Sequence, residues 1–230
     1  MFVTLRHEST VRLRWAVTTS FSETLRNATW GDHQSAEAEG YLTELMAGRL
    51  TEHEYGEMVA QHYFAYVALD GVSRALAGHP VAGAFVFPEL YREAALERDL
   101  ATIYGPSWRD RITPSRSTTA LVDRIREVAD WPCGYIAHHY TRYLGDLSGG
   151  QFIRMELQKI YGYDRGGGVD FYFFDELGSL PRFKNDYRSR LDALDLDERE
   201  RRRMIEEVRL AYRLNTDVLT ELLDVVRTAA

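Results

Sequence analysis

Three times in 230 residues the chain sets a Ser, Thr or Asp three positions ahead of a Glu at the head of an amphipathic run: Ser20 with Glu23, Thr51 with Glu54, and Asp197 with Glu200. Such a pair closes a helix N-terminus reciprocally. The first side chain accepts the backbone N–H of the Glu, and the Glu carboxylate reaches back. The pattern predicts a first helix from about 21 to 39, stopped by Gly40. A second runs from 52 to about 76, with Tyr55, Met58, Val59, His62, Tyr63 and Tyr66 at helical spacing. Pro88 suits the first position of a third helix ending at Gly105 and Pro106, and a shorter one spans about 117–130, stopped by Trp131 and Pro132. The stretch 134–161 is helical in pattern although it holds Gly145, Gly149 and Gly150, each costing roughly 1 kcal/mol against alanine. A loop opened by Gly166 and Gly168 reaches Gly178, and helices over about 181–194 and 197–226 follow. No strand ladder, repeat or low-complexity linker interrupts them. The expected architecture is all-α, a single helical domain over 20–230 behind an N-terminal extension at 1–19.

Composition narrows the function classes. A formal net charge of −7 offers no basic face for a phosphate backbone, so nucleic acid is not an expected partner, although a local basic pocket for a small anion is compatible with it. The lone Cys133 cannot form an internal disulfide, which fits a reducing cytoplasm. No apolar run approaches the ~20 residues that span a bilayer, so a soluble, cytoplasmic protein without a membrane partner is expected.

Two constellations stand out. Glu37 lies four residues after His33, about 40° round a helix and one turn along. There it can accept a hydrogen bond from one ring nitrogen while the other faces a metal. Arg26 lies two turns earlier on nearly the same stripe, placed to meet a carboxylate at the edge of a ligand. A solvated Arg beside a surface Glu–His pair fits the same spacing and is the commoner arrangement. The second constellation is 140–151, YTRYLGDLSGGQ, where Gly145 and Gly149 are one turn apart, as are Asp146 and Gly150. A helix face without Cβ atoms admits a flat ligand close to the backbone, with Asp146 beside it. It also suits tight helix–helix packing, and the spacing leaves both open.

The segments 25–37 (LRNATWGDHQSAE), 66–70 (YVALD), 140–151 and 183–190 (FKNDYRSR), followed by Asn215, closely resemble the heme oxygenase family. They occur in order, and the match covers roughly residues 22–223. The resemblance implies that His33 is the proximal iron ligand and Glu37 the residue that orients it. It puts Gly145, Gly149 and Gly150 on a kinked distal helix against the heme face, and makes Asp146 the distal carboxylate that organises pocket water. Tyr66 and Arg142 match outer members of that water network. Arg26, Tyr140, Lys184 and Arg188 match the groups holding the propionates, and Asn215 belongs to the same pocket. The implied activity is oxidative cleavage of heme b, at once cofactor and substrate, by dioxygen to biliverdin, carbon monoxide and ferrous iron. An external donor, such as a ferredoxin or an NAD(P)H-dependent reductase, supplies the electrons. Propionates held at the mouth place the opposite, α-meso edge inside, so the α isomer is expected.

The alternatives are a noncatalytic heme carrier or sensor, a helical di-iron protein and a thiamin-salvage enzyme of related fold. A carrier explains His33 and the basic anchors but gives no reason for Asp146 beside three glycines. No histidine has Glu three residues before it, as the di-iron class requires. Cys133 is the sole nucleophile available to the salvage enzyme, and no motif supports it. Without a C-x-x-C-H motif, heme is held noncovalently. His138 and His139 point about 100° apart on a helix and are expected to pack rather than share one iron.

Overall fold

The computed structural model describes residues 19–37 and 40–229, with only the backbone of 35–37. The expected extension at 1–19 lies almost wholly outside the described residues. Among these there is no strand, and ten α-helices are joined by short 3-10 turns. They are α1 (Phe21–Ala28), α2 (Trp30–Glu37), α3 (Gly40–Met46), α4 (Glu52–Ala75), α5 (Glu93–Tyr104), α6 (Arg116–Glu127), α7 (Pro132–Asp146), α8 (Gly149–Tyr161), α9 (Leu180–Asp192) and α10 (Glu198–Ala229).

The central element is α4. Its capping box is complete, with the Thr51 hydroxyl accepting from Glu54 N at 3.2 Å and the Glu54 carboxylate accepting from Thr51 N at 2.6 Å. Tyr55, Met58, Val59, Tyr66 and Leu69 are almost wholly excluded from water, and α5, α6, α7 and α10 pack around the helix. Each such side chain contributes roughly 1.5–3 kcal/mol of burial, and truncation of Leu69 to alanine would cost ~2–5 kcal/mol. The long α10 presents Met204, Val208, Ala211, Val218 and Leu222 along one stripe toward α6 and α7. No helix of the described residues is long and apolar enough to cross a membrane.

Three expectations from sequence need correction. The first helix is not continuous to Gly40. Thr29 donates its hydroxyl to Leu25 O at 2.9 Å and shares its N–H between Leu25 O and Arg26 O, which bends the chain and starts α2. Gly40 opens α3 rather than stopping a helix, and a Cβ there would lie 2.8 Å from Leu223 Cδ2, so the end of that side chain on α10 would have to shift. Pro88 heads a 3-10 turn, and α5 begins only at Glu93.

The stretch 134–161 carries the kink expected of its glycines, as two helices broken at Leu147 and Ser148. The carbonyls orphaned by the break find side-chain donors. Lys184 Nζ reaches Leu147 O at 3.1 Å and Ser148 Oγ at 3.0 Å, and Gln151 Nε2 reaches Asp146 O at 3.2 Å and Tyr172 O at 3.0 Å. Across from the break, the loop after α8 is fixed by Asp99, whose carboxylate accepts from Asp170 N at 2.7 Å and Phe171 N at 2.8 Å.

Candidate functional site

A cleft of two lobes runs between α2 and α10 on one side and the broken α7–α8 wall on the other. The inner lobe, of about 870 Å3, is lined by His33, His62, Arg142, Gly145, Asp146 and Gly150, with Phe171 and Tyr172 from the loop after α8. The outer lobe, of about 890 Å3, is lined by Arg26, Trp30, Tyr140, Ser148 and Arg188. His33, Gly145 and Tyr212 belong to both. The bend at Thr29 turns His33 toward α10, where its ring stacks on Trp30 (5.2 Å, 8°) and meets Tyr212 edge-on (5.8 Å, 73°).

The glycines of the opposite wall differ in what they face. A Cβ on Gly145 would meet no protein atom within 4 Å and would project into the cleft. On Gly150 it would sit 3.4 Å from Tyr172 and 3.6 Å from Asp146 Cβ, in ordinary contact. Gly145 therefore serves open space, whereas Gly150 lets the loop pack against the wall. Gly149 lines the inner lobe with them.

Asp146 ends α7, where the Tyr66 hydroxyl donates to its Oδ2. Burial raises the Asp146 carboxyl to about 6, against the opposing pull of Arg142 and the Tyr66 hydrogen bond. The Arg142 guanidinium lies 4.7 Å over the Tyr66 ring and donates from Nη1 to Asn215 Oδ1 at 2.6 Å. Asn215 is held in turn through Nδ2 to Ala211 O at 2.6 Å. Among the described residues, Arg142 Nε and Nη2 are buried without a hydrogen-bond partner. This cluster offers one near-neutral carboxyl and two uncommitted guanidinium donors beside a glycine-lined surface.

Most residues singled out from sequence meet here. His33, Arg142, Gly145, Gly149, Gly150, Asp146 and Asn215 line the inner lobe, and Tyr66 supports it from behind through Asp146. Arg26, Tyr140 and Arg188 share the outer lobe. Lys184 does not line either lobe, and its ammonium is engaged at the α7–α8 break. The Glu37 side chain lies outside the described residues. Sequence reasoning gave no site role to Tyr212 or His62, although the first is three residues before Asn215 and the second one turn before Tyr66.

The other candidates are accounted for structurally. His138 and His139 are buried and bond to Glu207 (2.9 Å) and the Tyr187 hydroxyl (3.0 Å) on different sides of α7. Cys133 is buried, and desolvation with the nearby Glu200 pushes its thiol up to about 12, which leaves no thiolate to act as a nucleophile. Among the described residues, no three His, Cys, Asp or Glu side chains cluster as a metal site.

Known proteins resemble this chain over most of its length. The sequence model for heme oxygenase matches residues 19–221. Heme oxygenase 1 of the cyanobacterium Synechocystis is 36% identical over 199 residues, covering 86% of this chain and 82% of the relative. Heme oxygenase 1 of Gallus gallus is 38% identical over 204 residues, covering 87% of this chain and 69% of the relative. Among solved structures, heme oxygenase-1 from Synechocystis in complex with heme superposes with a TM-score of 0.84 at 33% identity, covering 92% of this chain and 97% of that one.

Proposed function

The chain belongs to the heme oxygenase family, and from that premise we propose that its two-lobed cleft seats heme b between His33 and the glycine wall, with the propionates in the basic outer lobe. The activity is oxidative cleavage of heme to biliverdin. One observation carries the assignment of the cleft. Gly145 borders both lobes together with His33, and its missing side chain leaves a space that no protein atom fills. A planar macrocycle fits that space, and the residues around it suit the group.

Bound heme supplies the iron that takes up dioxygen and electrons, and its ring is the part that is opened. His33 offers the imidazole to hold the iron, and the Trp30 and Tyr212 rings restrict its rotation. Arg26 and Arg188 bring positive charge to the outer lobe, and the Tyr140 hydroxyl adds a donor for carboxylates. Asp146, with a carboxyl near 6, is poised to hold and release a proton through ordered water near neutral pH. Tyr66 and Arg142 fix its position. A heme carrier has no use for a buried carboxyl tuned in this way, which favours catalysis over transport. Edge-on seating by the outer lobe favours the α isomer of biliverdin. A ferredoxin or NAD(P)H-dependent reductase in the cytoplasm completes the reaction as electron donor.

The test is a heme titration followed by ascorbate or a ferredoxin system in air. A Soret band that forms and then decays into biliverdin absorbance supports the reading; a band that forms and persists indicates a carrier. His33→Ala should bind heme without the histidine-ligated spectrum and regain it with added imidazole. An unchanged spectrum in that variant would remove His33 as ligand.

A further inference from the structure

Behind the inner lobe lies a second cavity of about 330 Å3. The two share Met58, His62, Arg142, Asn215 and Leu219, so His62 and Arg142 stand in the partition between them. Gln61 lines the rear cavity and also a surface groove that carries Glu57, Ser115 and Glu221. Its amide is committed, Nε2 donating to Thr113 O at 3.2 Å and Oε1 accepting from Ser115 N at 2.9 Å. The rear cavity therefore lies between the cleft and the protein surface, separated from each by a single layer of side chains.

His62 is unlike three of the other histidines. His79, His138 and His139 each use a ring nitrogen on a protein hydrogen bond. The His62 ring is held by its face and edge alone, stacked on Phe171 (5.3 Å, 12°) and set against Tyr66 (6.3 Å, 60°). Among the described residues nothing hydrogen-bonds either of its nitrogens. Packing fixes where the ring points while leaving both nitrogens for whatever occupies the two cavities. Burial, reinforced by the Arg142 charge, keeps its pKa well below the ordinary histidine value. A neutral imidazole carries one proton and can accept another on the opposite side. The titratable and charged groups around it are Tyr66 on its own helix, Arg142 on α7 and, beyond Tyr66, Asp146; α10 contributes the neutral Asn215.

Taking the cleft as the heme site, we propose that His62 is a proton-relay residue joining water in the rear cavity to the water that Asp146 organises in the cleft. A proton arrives from the rear on the bare ring nitrogen as the other nitrogen releases its own toward the cleft. The ring ends neutral, in the opposite tautomer, and a half-turn about Cβ–Cγ, which returns it to the same plane against Phe171, resets it without sending the proton back. No net charge is created beside Arg142. The His62 imidazole, with the Asn215 and Gln61 amides that also line the rear cavity, supplies the two to four polar partners a buried water needs.

The experiment has a ligand-free arm and a loaded arm. In the ligand-free protein, long-range 1H–15N spectra should show the His62 imidazole neutral between about pH 5 and 8, where an ordinary histidine titrates. In the loaded protein, His62→Leu should bind heme as wild type does and keep the His33-dependent spectrum. Its turnover should fall about tenfold, below the ~10²–10⁴ of a direct general acid or base, because other water paths remain. The solvent deuterium isotope effect on turnover should rise in the same variant. His62→Gln keeps a donor and an acceptor but cannot exchange tautomers, so it should stay slow. Full turnover in His62→Gln would make the residue a water-positioning group and overturn the relay. So would a charged His62 in the ligand-free spectra, or a bis-histidine heme spectrum that His62→Leu abolishes. Failure of wild type to bind heme would overturn both the site and the relay. Normal binding with unchanged turnover in His62→Leu would sink the relay alone.

Discussion

Substituting Gly145 with alanine separates the two reasons a helix can carry glycine. If the residue exists for helix packing, a methyl group there must collide with protein and destabilise the fold. The structure predicts the reverse, since no protein atom lies within 4 Å of the added Cβ. Gly145 lies in α7, so alanine should gain about 0.5–1 kcal/mol from helix propensity, at the low end because the helix ends one residue later. For a chain of this size that raises the melting temperature of the ligand-free protein by ~1–4 °C. Heme should respond in the opposite direction, because the methyl group would occupy the surface proposed to receive the ring. Overpacking a fitted surface costs ~1–3 kcal/mol, and each 1.4 kcal/mol is about tenfold, so affinity should fall by roughly 5- to 150-fold, and further for Gly145→Leu. Gly134→Ala is the internal control, since its Cβ would lie against the Trp131 ring and 2.7 Å from Val128 Cβ and must destabilise the fold. The assays are thermal melts of ligand-free protein and Soret titrations. A lower melting temperature for Gly145→Ala, or wild-type heme affinity in Gly145→Leu, would refute the reasoning.

Other outcomes follow from charge. The Asp146 carboxyl is raised on folding, so the folded state binds its proton more tightly and stability declines as pH rises from about 4 to about 6. Asp146→Asn should therefore be more stable than wild type above about pH 6, by about 1–3 kcal/mol in urea melts, while losing most biliverdin formation. Burial alone would raise Glu207, but hydrogen bonds from His138 and Arg124 outweigh it and bring the carboxyl down to about 2. Its stabilising contribution is complete above about pH 4.5 and lost as pH falls toward 2, so Glu207→Gln should flatten that part of the acid-denaturation curve. Arg188→Glu replaces an attraction by a repulsion in the outer lobe, and chromatography of its products should show β or δ biliverdin beside the α isomer. Pure α product would mean that shape alone seats the ring.

Much of the fold is legible in the sequence because its signals are local. The Thr51 capping box and the Trp131–Pro132 stop are decided within a few residues and stand where the spacing puts them. The glycines announce a kink near Leu147 and Ser148, but what holds it is not local. The lysine that satisfies Leu147 O lies 37 residues further on, and no pattern within 140–151 announces it. The site divides in the same way. His33, Asp146 and the glycines are legible as a motif, but the same letter hides different jobs. Gly145 and Gly150 are distinguished only by what stands opposite each, open space for one and the Tyr172 ring for the other. His62 and Tyr212 reach the cleft through tertiary placement of α4 and α10, and helical spacing to Tyr66 and Asn215 was the one signal available for them.

The interruption between α7 and α8 has a mechanical consequence. A stiff, uninterrupted rod along the cleft would have to tilt as a whole to let a bulkier, non-planar product leave, dragging Asp146 with it. Here compliance is concentrated at Leu147 and Ser148, held by the contacts from Lys184 and Gln151 rather than by a continuous ladder. The α7 side is tethered through Tyr66 and Asn215, so its carboxyl and guanidinium keep their register independently of the backbone ladder of α8. The wall is thus two panels rather than one rod, and Lys184, reaching both Leu147 O and Ser148 Oγ, pins α9 to the joint between them.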